Sequence, residues 1–140
     1  MRVVVDCNVL ISAALSKNGT SAKAIKLAEN FHHLILSEKT LREFSDTILK
    51  TKFNPYFRPI DIRFAIITRY ANKCELIVPF HRVKICRDPK DDMYLELALS
   101  GKADCIVSGD PDLQLLNPFE NIPIISPREF LDRFNPVSSI

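Results

Sequence analysis

The stretch that most constrains this 140-residue chain is its beginning, MRVVVDCNVLISAA. Val3, Val4 and Val5 form a β-branched run too short for a buried helix, which predicts a strand covered on both faces. Val9, Leu10, Ala13 and Ala14 then recur at helical spacing. A strand covered on both faces needs helices on either side, so the chain opens as the first half of a β-α unit. Asp6 falls at the junction. In open parallel sheets ligands bind in the crevice outside the carboxyl ends of the strands, which places this carboxylate for chemistry, although an acid there also serves as a helix cap.

The alternation continues at short intervals. Gly19-Thr20-Ser21 breaks the first helix, and Thr20 or Ser21 is expected to cap a second with Ala24, Ile25, Leu27 and Ala28 inward. Leu34 to Ser37 reads as a second strand, and Ser37 to Lys50 as an amphipathic helix with Leu41, Phe44, Ile48 and Leu49 on one side. Pro59 is expected to open a helix with Ile62, Ala65, Ile66 and Tyr70 packed inward, followed by a third strand over Leu76 to Pro79. Asp88-Pro89-Lys90-Asp91-Asp92 starts a helix through Leu99 that stops near Gly101. Cys105 to Ser108 is a fourth strand and Pro123 to Ser126 a fifth, with a last short helix from Pro127 and a frayed end over 135–140. Repeated β-α units of this kind imply a mainly parallel sheet with helices on both sides, in a single domain spanning 1–140.

Composition narrows the function. No run of about 18 apolar residues exists, and the start of the chain resembles neither a membrane span nor a secretory signal, so a cytoplasmic protein without a membrane partner is expected. Cys7, Cys74, Cys86 and Cys105 form no CxxC pair, and the three histidines complete no zinc pattern. His32 and His33 are adjacent and on a strand would face opposite ways, which argues against the histidine pair of a metal-free ribonuclease. Net charge is only +2, but between Lys50 and Lys90 ten Lys or Arg face three acids, while the remainder is acidic. Within that basic middle, Arg82, Lys84 and Arg87 are candidates for holding a phosphate backbone, the alternative being ordinary solvated surface.

Carboxylates reach the same sheet edge by separate routes: Asp6 after strand one, Glu43 on the helix after strand two, Asp91 and Asp92 at a helix start, Asp110 and Asp112 after strand four. Each alone has a structural explanation as a cap or a solvated charge. Together they would repel and raise one another's pKa unless a cation compensated them. Hard oxygen donors without His or Cys indicate Mg²⁺ or Mn²⁺, and such an ion supports hydrolysis of a phosphodiester.

These segments, V-V-V-D-C-N-V-L-I-S-A, L-R-E-F-S-D-T-I-L-K-T-K-F, R-D-P-K-D-D-M-Y-L-E-L-A-L-S-G-K-A-D and C-I-V-S-G-D-P-D-L, together resemble a PIN-domain protein, specifically the toxins of toxin–antitoxin pairs. The resemblance implies a three-layer α/β/α sandwich with a parallel five-stranded sheet in order 3-2-1-4-5. It also implies Mg²⁺- or Mn²⁺-dependent ribonuclease activity that leaves a 5′-phosphate and a 3′-hydroxyl. The family's acids carry over to Asp6, Glu43, Asp92 and Asp110, with Asp112 as a further metal-binding candidate, direct or through water. Asn8 and Ser108 match its polar positions beside the first and fourth acids. Cys7 departs from the family's frequent Thr or Ser, removing a hydroxyl without removing a ligand. By the same resemblance the partners are an RNA substrate and a small antitoxin that covers the acidic edge with Arg or Lys; a homodimer through Phe64 and Ile67 is the further association the apolar residues allow.

Two other functions compete. A phosphatase of the haloacid dehalogenase type shares the Asp after a first strand and the G-D-P-D string, but needs a second acid two residues after the first, where this chain has Asn8. A catalytically silent PIN-like interaction module would need none of the four acids.

Overall fold

The computed structural model describes residues 1–136. Fourteen short elements alternate along it. The strands are β1 (Arg2–Val5), β2 (His33–Leu36), β3 (Glu75–Leu76), β4 (Cys105–Val107) and β5 (Ile124–Ile125). The α-helices are α1 (Cys7–Leu15), α2 (Thr20–Phe31), α3 (Glu38–Ile48), α4 (Asp61–Lys73), α5 (Asp92–Ser100), α6 (Pro111–Gln114) and α7 (Pro127–Phe134), with 3₁₀ turns at Thr51–Phe53 and Pro89–Asp91. All strands pair in parallel, in the order β3-β2-β1-β4-β5.

Val3 to Val5, Leu34 to Leu36 and Cys105 to Val107 are all buried, so the three central strands are covered on both faces as their unbroken apolar runs require. Helices α1, α2 and α7 pack in series, and α3 joins α1 to α4 and α5. Val3, Val4 and Val5 stand opposite Cys105, Ile106 and Val107. This register brings the residues that follow, Asp6 and Ser108, out at one edge of the sheet. Ser37 and Ser126 leave β2 and β5 at the same edge, where each caps the next helix through a capping box.

Several elements differ from the sequence expectation for local reasons. The cap of α2 is Gly19, with no side-chain bond, rather than Thr20 or Ser21. Strand β3 has only two residues, because the backbone amides beyond Ile77 turn from the sheet to side chains of α5. The inward face of α4 is one residue out of phase with the expected one: Arg63 and Tyr70 are buried, Ile66 and Ile67 pack against the core, and Ile62 and Ala65 are exposed. Arg63 is 2% exposed and faces no carboxylate. Its guanidinium donates to the carbonyls of Ile48, Lys50 and Phe57 and to Asn54 Oδ1, binding the open end of α3 to the following loop. Of the expected frayed end, residues 137–140 lie outside the described residues. Among the described residues no helix is long and apolar enough to cross a membrane.

Candidate active site

Asp6 caps α1, its Oδ1 accepting from the Val9 amide at 2.9 Å. Its other oxygen accepts the hydroxyl of Ser108, which is fully buried. The same Ser108 Oγ accepts from the Asp110 amide at 3.0 Å, so one hydroxyl fixes the first acid against the backbone of the fourth. Asp110 caps the short α6, its Oδ1 taking the Asp112 amide at 2.9 Å. Gln114 Nε2 holds the Ser108 carbonyl at 2.9 Å and so steadies this loop.

Burial pushes the Asp6 carboxyl above its ordinary range, with the nearby Asp110 charge adding to it, although the Ser108 hydroxyl and the Val9 and Asn8 amides act in the opposite sense. Asp91 is pushed up to about 6, first by burial, then by the charges of Asp110 and Asp88, by a hydrogen bond with Asp110 and by Asp6. The charges of Asp6, Asp91 and Asp110 thus act on one another.

Asp92 has a different setting. Its Oδ1 accepts the amides of Cys86 at 2.8 Å and Ile85 at 3.2 Å. Burial works against its ionisation, but these donors prevail and hold its carboxyl below the ordinary range. Asp92 and Glu43 line a cleft of about 560 Å³, and the charges of Asp92, Asp91 and Asp110 all act on the Cys86 thiol. The Glu43 charge still reaches the buried Cys7 thiol and Tyr94 hydroxyl, both of which burial raises above their ordinary pKa values. Tyr94 Oη accepts the Cys7 amide at 3.0 Å, and Cys7 Sγ donates to the Glu43 carbonyl at 3.8 Å, so α1, α3 and α5 meet beside the acids.

The remaining sequence candidates scatter. The Asp112 amide serves Asp110, and Asn8 is exposed beside Asp6. Lys84 lines the cleft, Arg82 lines a second groove, and Arg87 is exposed. Lys39, Arg42 and Lys90, which the sequence reading passed over, also line the cleft, giving it cations from α3 and from the opposite wall. Their signal lay in the helix phase of α3, since Lys39, Arg42, Glu43 and Asp46 fall on one side of it at spacings of three and four. Asp91 lies in the 3₁₀ turn. Asp88 caps that turn by accepting the Lys90 amide, and α5 begins only at Asp92, so the two adjacent acids diverge.

Among the described residues no group of three or more His, Cys, Asp or Glu is arranged to hold a metal ion. The donor chemistry nevertheless suits a hard divalent cation, since Asp6, Glu43, Asp92 and Asp110 offer only oxygens.

The PIN domain family model matches residues 2–112 of this chain. The chain belongs to the PIN-domain family. Members of the family are nucleases. This PIN domain is 30% identical over 146 aligned positions to an uncharacterized protein of Methanocaldococcus jannaschii, covering 96% of this chain and 92% of that one. Its fold is similar to a chain in the crystal structure of VapBC2 from Rickettsia felis bound to a DNA fragment from its promoter, with a TM-score of 0.60 over 89% of this chain and 97% of that chain. At 11% identity that likeness is one of fold. The sheet order 3-2-1-4-5 and the enclosing helices agree with the PIN-like sandwich that the sequence motifs implied.

Proposed function

We propose that this PIN domain is a Mg²⁺- or Mn²⁺-dependent endoribonuclease and the toxin of a toxin–antitoxin pair. The observation that carries the catalytic part is the buried Ser108 hydroxyl that joins the Asp6 carboxylate to the Asp110 backbone. Asp6, Glu43, Asp92 and Asp110 would hold the metal, with Asp112 and Asp91 as further candidates. When bound, the ion supplies charge for the scissile phosphate and lowers the pKa of a water. Ser108 orients Asp6 and so fixes where that carboxylate points. Lys39, Arg42, Lys84 and Lys90 offset the charge of a phosphate backbone entering the cleft, and Arg82 and Arg87 extend this field along the exposed side. Asp92 also keeps the segment before α5 in place through two amide bonds to one of its oxygens.

An antitoxin partner is supported by the fold likeness to VapBC2, whose structure contains promoter DNA, and by the chemistry of the edge. A partner segment offering Arg or Lys would satisfy the carboxylates while occluding the phosphate path.

Mn²⁺ titration by calorimetry into wild type, Asp6→Asn, Asp91→Asn and Asp92→Asn, alongside RNA cleavage with and without EDTA, tests the site. The expected result is loss of binding and cleavage in the Asp6 and Asp92 variants, and the Asp91 variant shows whether Asp91 is a further ligand. Cleavage that persists in EDTA, or equal Mn²⁺ binding by wild type and Asp6→Asn, would overturn the reading. Purification after co-expression with the adjacent open reading frame tests the partner, and the mass of the protein alone tests pairing through the exposed Phe64. No complex, together with cleavage indifferent to the neighbour's product, removes the antitoxin claim.

A further inference from the structure

Between β3 and α5 the chain runs as an extended strap along one side of α5, and it is held there by a ladder of side chains. Ser100 Oγ accepts the amides of Phe80 and His81 at 3.0 and 3.1 Å, Glu96 Oε2 accepts that of Val83 at 3.1 Å, and Asp92 Oδ1 accepts those of Ile85 and Cys86. The three acceptors lie four residues apart, on one face of the helix. Five consecutive-region amides are thus satisfied without a sheet, which leaves the strap rigid and its outer face free. On that face Phe80 is 73% exposed, with its ring against His81 at a centroid distance of 4.5 Å and an interplanar angle of 38°. A large aromatic ring held this firmly in water has no packing role.

The ring pair stands beside a groove of about 240 Å³ whose charged and aromatic lining is His81, Arg82 and Lys39 together with Glu38 and Glu96. Lys39 and Glu96 line both this groove and the cleft that holds Glu43 and Asp92, so the two are continuous. The path beside the acids therefore runs past Lys84 and Lys39 to Arg82 and ends at the exposed rings. Cations spaced along a groove that ends in an aromatic face are the elements by which single-stranded nucleic acid is held: charge follows the backbone and a ring takes a base.

We propose that the Phe80–His81 pair is a base-stacking platform for single-stranded RNA whose backbone follows this groove to the acidic cluster. The inference rests on the nuclease reading for the identity of the strand, while the platform is tested separately from catalysis. A base within a duplex already has its faces covered, so the platform serves unpaired bases. Because Ser100 fixes both amides, the backbone beneath the rings is in place before binding.

The test is fluorescence anisotropy in EDTA with a labelled single-stranded oligoribonucleotide, the same sequence as a duplex, and the same strand with abasic sites. Phe80→Ala is expected to bind the single strand about tenfold more weakly, Phe80→Trp to restore binding and Phe80→Leu to leave it weak. The abasic strand is expected to bind wild type and Phe80→Ala alike. Equal binding by wild type and Phe80→Ala, full binding by Phe80→Leu, or duplex binding as tight as that of the single strand would overturn the platform. Cleavage by wild type with no Phe80 dependence of binding leaves the nuclease and removes the platform; Phe80-dependent binding without cleavage under Mn²⁺ does the reverse.

Discussion

Replacing Asp6 separates the two tasks of its carboxylate. Asp6→Ala removes the oxygen that caps α1 at Val9, a loss of about 1 kcal/mol, and deprives the buried Ser108 hydroxyl of its acceptor, about 1 kcal/mol more. Asp6→Asn preserves the cap, since Asn is as good a cap as Asp, and its amide can donate to Ser108 Oγ, which has a lone pair beyond the one that takes the Asp110 amide. It also removes a carboxylate whose ionisation burial opposes. The Asn variant is therefore expected within about 0.5 kcal/mol of wild type and the Ala variant about 2 kcal/mol below it, a gap of roughly 4–8 °C in melting temperature for a domain of this size. Urea unfolding by circular dichroism in EDTA measures both. Adding Mn²⁺ should then raise the midpoint of wild type alone, by about 2.7 kcal/mol at a hundredfold excess over Kd. Asn and Ala variants of equal stability would refute the capping argument, and an Asn variant stabilised by Mn²⁺ as wild type is would refute the metal role.

Other outcomes follow from single contacts. Asp91 is raised from 3.8 to about 6, so its protonated form favours the folded state; that contribution is full below about pH 4 and is lost as pH rises through 6. Asp91→Asn should thus gain stability relative to wild type by about 1–2 kcal/mol between pH 4 and pH 7 in metal-free buffer, after allowance for solvent screening, as read from urea midpoints at the two pH values. Arg63→Met leaves four acceptors without their donor and is expected to cost about 3–4 kcal/mol in the same assay, with Arg63→Lys recovering only part of it. Ser100→Ala should accelerate hydrogen exchange at the Phe80 and His81 amides while leaving β1 and β4 protected, which two-dimensional NMR resolves residue by residue.

How far the residues announce this structure depends on whether a feature is local. The valine run of β1 and the capping serines at 37 and 126 act through their immediate neighbours, so strand, helix start and sheet edge could be read directly. The phase of α4 could not, because hydropathy places Arg63 outside, whereas the carbonyls at the end of α3 draw it in. The strap was read partly as strand because Leu76, Ile77 and Val78 look like one; what removes it from the sheet is Ser100, twenty residues away from Phe80. Asp6 and Asp110 were legible as edge acids since each directly follows or closely follows a central strand. Asp91 and Asp92 were both legible as acids at a helix start; that the first lies in a 3₁₀ turn and the second opens α5 is a matter of one residue in an element boundary.

The coincidence of capping and site chemistry in Asp6 and Asp110 bears on how sequence variation among relatives is to be weighed. A descendant that had abandoned hydrolysis would still be under pressure to keep Asp, Asn or Ser at these two places, because α1 and α6 begin there. An intact acid at position 6 or 110 thus testifies to folding as much as to activity. Asp91 stands at the start of α5 without making a capping bond, and its burial beside Asp110 is a liability to the fold above pH 6. On the proposed nuclease reading, an acid maintained at that position against its own cost says more about activity than one that also serves as a cap.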